Sequence, residues 1–436
     1  MANFIINGGK KLSGKIATNS AKNASVAILC ACTMIKGKTV LKDVPVIEEV
    51  KRIIELLKSL GLEIEWTKKH ELTINNPKNL NLNNLDKKAF QKTRSGLLLM
   101  GALLSRFDAF DLPLPSGCKL GERTVNPYSL ALKHLGVKVS CNQNGYNIKK
   151  ENFKGAEFTM YETGDTATEN TIMAAVFAPG QTTIHLAASN YMVQDLCWFL
   201  KRAGAKIKNI GTSTLIIKGI KELKPLKYPI MPDPIESMAF ISVAITTESK
   251  LTITKCPIDF LRLELEKLSI MGQKYTIDKQ HKSGNRKFNL VDITIYPSKL
   301  KALPDKIHPL PYPGLNIDNL PLFLPILTKA KGTTLVYDWI YENRAIYYTE
   351  LNKLGANILL LDPHRVTVKG PSKLKNNEII CPPALRPSIN LLICMLAAPG
   401  RSILRNSYSI DRGYENIVKR LNTIGADITA IEKLNF

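Results

Sequence analysis

The sequence predicts an α/β protein of two domains, each assembled from three copies of one supersecondary unit. A recurrent helix ending carries the expectation: six times an apolar helix end runs into glycine and then an alternating strand. The copies are Leu60-Gly61-Leu62, Leu135-Gly136-Val137, Ala203-Gly204-Ala205, Met271-Gly272-Gln273, Leu354-Gly355-Ala356 and Ile424-Gly425-Ala426. Upstream of five of them, a glycine or small polar turn leads into a Thr- or Ser-rich β-run. Those runs begin at Gly37, Gly180, Ser249, Gly332 and Gly400. Where both glycines are present they stand 23 to 25 residues apart, and the helix-ending glycines recur every 68 to 83 residues. That period exceeds the roughly 20–50 residues of solenoid repeats, so globular domains made of internal copies fit better.

Taken in order, each unit contains an apolar helix, a strand, an amphipathic helix and a further strand. A short strand opens the chain at Met1 to Ile6. First helices are expected at Lys22–Ile35, Thr93–Ser105, Thr168–Ala178, Ile235–Thr246, Leu320–Ala330 and Pro387–Ala398. They are apolar nearly all round, as buried helices are. Second helices, such as Glu48–Leu60, Val193–Ala203 and Glu415–Ile424, carry apolar residues at three- and four-residue spacing with charges opposite. Their stripe should face the same core from outside. Proline density at Pro229–Pro234 breaks any regular element and divides the six units three and three. A second proline-dense stretch, Leu303 to Pro313, reads as a loop, and the polar Asp278 to Arg286 as an exposed hairpin tip.

Size and composition agree. A chain of 436 residues exceeds one ordinary core, and about two or three domains is the expectation. Hydrophobic residues at 44% with charged residues at 22% describe a globular protein. The apolar stretch Ala24 to Ile35 falls short of the roughly 20 residues a bilayer needs. No basic-then-apolar leader precedes it, so a cytoplasmic location without membrane contact is expected. The net charge of +23 raises the local concentration of anions. Zinc-finger spacing, aromatic RNA-binding signatures and basic zipper helices are missing, so nucleic acid is not an expected partner. Eight cysteines include no C-x-x-C pair, which points to reduced thiols. Cys118 differs from the rest, lying in the Pro/Gly-punctuated run Pro113 to Gly121. Gly9 to Lys15 comes near P-loop spacing, but Ile16 replaces the Ser or Thr that would hold magnesium. No His/Cys/carboxylate pattern has metal spacing, so neither a metal nor another cofactor is expected.

Charge recurs at matching places in the units. Lys22 opens the first helix of unit one, Arg94 that of unit two and Arg386 that of unit six, and Asp318 just precedes that of unit five. Helix N-termini carry partial positive charge and unsatisfied N–H groups, so a cation there opposes the dipole but makes a strong anion site. A bound anion accounts for three such placements better than stability does. Pairing of Lys22, Arg94 and Arg386 with acids elsewhere is the competing explanation. Asp318, in Asn316-Ile317-Asp318-Asn319, is equally suited to cap its helix.

Three stretches go beyond the repeat. They are Asn19-Ser20-Ala21-Lys22-Asn23-Ala24, then Pro115-Ser116-Gly117-Cys118-Lys119-Leu120-Gly121-Glu122-Arg123, and Glu342-Asn343-Arg344 with Ile410-Asp411-Arg412-Gly413-Tyr414-Glu415. With Ala167-Thr168-Glu169-Asn170 they make the chain, from Phe4 to its C-terminal end, resemble the enolpyruvyl transferases. The branch it resembles acts on UDP-N-acetylglucosamine in peptidoglycan synthesis. The resemblance implies a two-domain inside-out α/β barrel of six βαβαββ repeats, three per domain. One domain would span residues 21–230 with the Cys118 loop, the other 1–20 plus 231–436, with the active site in the cleft between them. It implies phosphoenolpyruvate and a UDP-sugar as substrates, and Arg forks and Lys charges suit such anions. By the same resemblance Lys22, Arg123 and Arg412 bind phosphoenolpyruvate, Arg94, Arg344 and Arg386 line the cleft, and Asn23 contacts the sugar nucleotide. Asp318 would be the base toward the sugar hydroxyl, which demands hydrogen-bond reach. Cys118 would be the acid toward the enolpyruvyl carbon, against the alternative of an incidental loop cysteine.

Several positions depart from the family pattern. Glu162 stands where a lysine often faces nucleotide phosphates, and Ala384 where an aspartate is typical. Asn126-Pro127-Tyr128, Gly164-Asp165-Thr166 and Ser189 to Met192 also differ. The expected function is transfer of the enolpyruvyl group to the 3-hydroxyl of UDP-N-acetylglucosamine. Transfer to another hydroxyl acceptor, or a non-catalytic basic anion-binding paralogue, are the alternatives. A monomer is compatible with each.

Overall fold

All six helix-ending glycines adopt the left-handed backbone, with φ from 75° at Gly136 to 112° at Gly204. Glycine suits that conformation because it has no Cβ to clash, and such a residue ends a helix by closing its last carbonyls. The repeat in the sequence is thus a repeat of helix stops. The computed structural model describes residues 3–115 and 124–431. Among these, the chain divides into a terminal unit (3–19 and 232–431) and a central unit (20–115 and 124–231).

Each unit carries three sheets. In the terminal unit the first sheet runs Glu378–Ile380, Gly400–Arg405, Asn3–Gly8, Ile428–Ile431. The second runs Tyr275–Lys282, Asn289–Ile295, Lys250–Pro257, Ser13–Ala17, and the third Gly332–Tyr337, Arg365–Gly370, Asn357–Asp362. The chain's first two strands therefore complete sheets whose other strands come from its second half. Phe4 stands opposite both Leu404 and Ala430, and Ile16 lies parallel to Ile253. In the central unit the sheets are built around Gly37–Lys42, Gly145–Lys150 and Gln181–His185. The proline-dense stretch does run as a loop beside the third terminal sheet. Proline lacks the N–H a ladder needs, yet Ile307 still forms an isolated parallel bridge to Val336.

The first helices form the cores, which makes both barrels inside out. Every residue of Pro234–Thr246 is buried, and it packs on both Phe323–Leu327 and Leu385–Ala397. In the central unit Leu99–Ala102 packs on Lys22–Ala31 and on Asp165–Ala175. Amphipathic second helices Glu48–Ser59 and Tyr191–Arg202 cover Lys22–Ala31 from outside. None of the helices among the described residues is long and apolar enough to cross a membrane.

Four elements differ from expectation. The helix expected over Leu320–Ala330 is a 3-10 turn, Leu320–Leu322, and a short helix, Phe323–Leu327, because Pro321 and Pro325 remove helical donors. Asn390 Nδ2 takes up the Pro321 carbonyl at 2.9 Å and Ser242 Oγ the Leu322 carbonyl at 2.8 Å. The helix expected over Thr93–Ser105 is regular only at Leu99–Ala102, between two 3-10 segments. The helix expected from Glu415 starts at Ile417, because Asn416 adopts left-handed φ of 46°. The hairpin tip is shorter than Asp278 to Arg286, since the strand continues to Lys282 and the Ser283 and Asn285 side chains lock the turn at 2.6 Å.

Gly101 marks the tightest approach between first helices in the central unit. A Cβ there would lie 2.1 Å from the Asn170 carbonyl oxygen, while the Gly101 amide donates to Asn170 Oδ1 at 2.7 Å. Gly101→Ala should therefore destabilise the protein by about 1–3 kcal/mol, the usual cost of overpacking. A urea midpoint equal to wild type would show that the two helices can separate freely.

Candidate active site

In the terminal unit, Asp338 follows the strand Gly332–Tyr337 and is fully buried. Six residues on, Arg344 turns back to it. Its Nε donates to Oδ2 at 2.6 Å and its Nη2 to Oδ1 at 2.8 Å, a bidentate pair. Nη2 also donates to the Ile317 carbonyl at 2.8 Å. The Tyr348 hydroxyl donates to Asp338, and the Arg344 guanidinium lies 4.3 Å from the centre of the Tyr341 ring. Burial works against the charge on Arg344, but Tyr348 and Asp338 outweigh it and hold the guanidinium above its usual range.

The other end of this guanidinium faces Asp318, with Nη1 3.8 Å from Oδ1. Arg386 Nη2 meets the second oxygen of Asp318 at 2.9 Å. One carboxylate, 21% exposed, thus stands between two guanidinium groups that are 1% and 10% exposed. Arg386 also donates to the hydroxyl of buried Tyr414 at 3.1 Å. Burial opposes its charge, and Asp318, Tyr414 and the field of Asp233 hold it above its ordinary value. Asp233 caps the buried Pro234–Thr246 helix by accepting from Ile235 N–H at 2.8 Å. Three helix entrances therefore meet at this cluster. Arg412 is half-buried at the end of the Tyr408–Asp411 helix, two residues before Tyr414.

The two competing explanations fare differently here. Asp318 does not cap the following helix: Asn319 precedes the Leu320–Leu322 turn without a side-chain cap, and the Asp318 amide donates to Asn316 Oδ1 at 2.8 Å. The Asp318 carboxylate faces the guanidinium groups of Arg344 and Arg386. Arg386 at its helix entrance does pair with an acid, Asp318, as the competing explanation has it.

In the central unit, Lys22 opens Lys22–Ala31 and is half-buried. Asn23 Nδ2 donates to the Tyr191 hydroxyl at 3.2 Å. Arg94 opens the 3-10 turn Arg94–Leu98, and its Nη2 lies 3.5 Å from the Thr124 carbonyl. The turn is held from behind by buried Glu49, which accepts from Thr93 Oγ1 and, at 3.1 Å, from Ser95 Oγ. Glu169, on Asp165–Ala175, is buried with no hydrogen-bond partner for Oε1 among the described residues. Burial, then the nearby Asp165 charge, pushes its carboxyl well above the usual range. Cys118 and Arg123 lie outside the described residues. Of the departures, Glu162 is exposed, Thr166 lies in the first turn of Asp165–Ala175, and Asn126 opens Asn126–His134. Ala384 occupies the N-cap of Leu385–Ala397, where it makes no side-chain cap.

The structure thus joins Asp318, Arg344 and Arg386 directly in one unit, and sets Lys22, Asn23 and Arg94 at helix entrances of the other. Asp338, Tyr348 and Glu49 do not emerge from the sequence. No spacing rule links Asp338 to an arginine six residues away across a loop. A buried arginine does need a carboxylate nearby, and Asp338 is the acid nearest before Arg344 other than Glu342.

Residues 6–421 match the model of a family described as EPSP synthase (3-phosphoshikimate 1-carboxyvinyltransferase). Proteins named UDP-N-acetylglucosamine 1-carboxyvinyltransferase from Borreliella burgdorferi and Treponema denticola are each 34% identical to the chain. The matches cover 99% of this chain and all of theirs. A namesake from Bradyrhizobium diazoefficiens is also 34% identical, over 98% of both chains. Among solved structures, the enolpyruvyl transferase NikO from Streptomyces tendae has a TM-score of 0.85 at 23% identity, covering 99% of each chain. EPSP synthase from Acinetobacter baumannii has a TM-score of 0.78 at 18% identity, covering 99% of this chain and 100% of its own.

Glu169 supplies a pH test. In the unfolded chain its carboxyl ionises near the ordinary 4.5, whereas in the folded protein it keeps its proton well above that. Wild type therefore loses stability from this group as pH rises past 4.5, and a glutamine there does not. Glu169→Gln should gain in urea midpoint relative to wild type between pH 4 and pH 8. A constant difference across that range would contradict a protonated Glu169.

Proposed function

This chain belongs to the EPSP synthase family, and from that footing we propose that it acts on phosphoenolpyruvate and UDP-N-acetylglucosamine. It transfers the enolpyruvyl group to the 3-hydroxyl of the sugar and releases inorganic phosphate. The observation that carries this reading is end-to-end identity of 34% with proteins named for that transfer. The Asp318–Arg344–Arg386 cluster supports it, because it offers a carboxylate and fixed guanidinium groups in one place.

The proposed chemistry is addition followed by elimination. The 3-hydroxyl oxygen bonds to C2 of phosphoenolpyruvate while its proton passes to Asp318, and the Cys118 thiol delivers a proton to C3. Return of a C3 proton to the Cys118 thiolate then restores the double bond and expels phosphate from C2. Lys22, Arg123 and Arg412 hold the phosphate and carboxylate of phosphoenolpyruvate. Arg94, Arg344 and Arg386 balance the remaining anionic charge, and Asn23 bonds the acceptor. Asp318 can take a proton only when it is drawn from the two arginines that share it. Anionic substrates that attract those arginines provide the means, so base and substrate are coupled through Arg344 and Arg386. The site lies in a metal-independent, cytoplasmic enzyme on this reading.

A phosphate-release assay with phosphoenolpyruvate and a panel of hydroxyl acceptors tests the proposal. Turnover is expected with UDP-N-acetylglucosamine. Silence with that sugar and release with another acceptor would place the exposed Glu162 and the uncapped Ala384 among the determinants of a different specificity. Cys118→Ser should lose both turnover and inactivation by the epoxide fosfomycin. Inactivation retained in that variant would remove Cys118 from the mechanism.

A further inference from the structure

Arg344 is held by more partners than an ordinary substrate-binding arginine requires. Nε and Nη2 are both committed to Asp338, and Nη2 also reaches the Ile317 carbonyl. The Tyr341 ring lies against the guanidinium, with its centre 4.3 Å from the guanidinium carbon. Nη1, which makes no hydrogen bond among the described residues, is the end left pointing toward Asp318 at 3.8 Å. Asp338 is itself fixed, since it accepts from Tyr348 and its main chain exchanges bonds with His364. Its amide donates to the His364 carbonyl at 2.7 Å, and its carbonyl lies 3.2 Å from His364 Nδ1.

Stability does not account for this arrangement. Dehydrating an arginine and an aspartate costs as much as their attraction returns, and apolar residues of similar volume generally serve a core equally well. What the pair does provide is direction. Arg386 closes on Asp318 at 2.9 Å, whereas Arg344 is kept back at 3.8 Å. That separation is longer than a hydrogen bond, so Nη1 is poised for a group that enters beside Asp318.

We propose that Asp338, backed by Tyr348, is the positioning residue for the enolpyruvyl transfer, aiming Nη1 of Arg344 at the oxygen on which charge develops next to Asp318. The inference rests on the transferase reading given above. Asp338 touches no substrate; it acts through Arg344. A donor preset in this way strengthens the transition state more than the bound substrate, so its loss appears in kcat rather than in KM.

Asp338→Asn keeps the shape and one acceptor but removes the charge that holds Arg344. Expected is a fall in kcat of about 10- to 100-fold, the range for a misplaced catalytic contact, with both KM values within about threefold of wild type. Tyr348→Phe leaves the Asp338–Arg344 pair in place and should lower kcat by a smaller factor, again with little change in KM. A folded Asp338→Asn protein with wild-type kcat overturns the assignment, as does a loss confined to KM. If Asp338→Asn does not fold, Tyr348→Phe decides, and wild-type kcat in that variant overturns it. Absence of turnover in the wild-type protein sinks the transferase reading itself and this inference with it. Wild-type turnover with indifferent variants sinks the positioning role alone.

Discussion

The helix Pro234–Thr246 is buried along its whole length. A cylinder of that kind has no polar face to show to water, so it must be enclosed on all sides. The helices Phe323–Leu327 and Leu385–Ala397 and the strand Lys250–Pro257 pack along it and supply that enclosure. The helix ends are where backbone N–H groups lack partners. Polar and charged side chains are therefore collected at the entrances of the first helices, Asp233 at one, Asp318 at the second and Arg386 at the third. The charged cluster of the terminal unit is a consequence of how its core is closed.

Electrostatics then decides how that cluster behaves. Two buried guanidinium groups could not sit side by side uncompensated. Asp338 neutralises Arg344 from behind and Asp318 neutralises Arg386 from the front. The two acids are not equivalent. Asp338 is fully buried and also bonded by Tyr348, so exchanging its partner for water or a ligand is costly. Asp318 is 21% exposed and reaches its arginines by single contacts. On the proposed reading, an incoming anion competes with Asp318 and not with Asp338. The cluster is thereby divided into a permanent ion pair and an exchangeable one.

Much of this was legible in the sequence, and the boundary of legibility is physical. The six glycines were visible because left-handed helix stops tolerate few other residues. The buried first helices were visible because they are apolar all round. Breaks within them were harder to place: Pro321 and Pro325 were in plain view, but their effect depends on Asn390 and Ser242, on two other helices, taking up freed carbonyls. Arg344, Arg386 and Asp318 stood out through motifs and helix position. Their partners did not, because Asp338 and Tyr414 reach them through tertiary folding. The cap that was the alternative role of Asp318 is not taken up at Leu320–Leu322, since local preference for capping is worth only about 1 kcal/mol and two nearby cations outweigh it.

Ala384 shows how the same balance extends to a departure from the family pattern. The residue stands at the N-cap of Leu385–Ala397, two positions before Arg386, and supplies neither a cap nor a charge. An aspartate there would lie at the positive end of the helix dipole and close to Arg386 in sequence, drawing part of that arginine's compensation to itself. With alanine in its place, compensation of Arg386 falls on Asp318, on Asp233 through its field, and on the Tyr414 hydroxyl. Asp318 is then tied more firmly to Arg386 than it would be beside a second acid. On the proposed reading, the step that frees Asp318 draws more on the charge of the substrate, and an anionic acceptor supplies more of that charge than a neutral one.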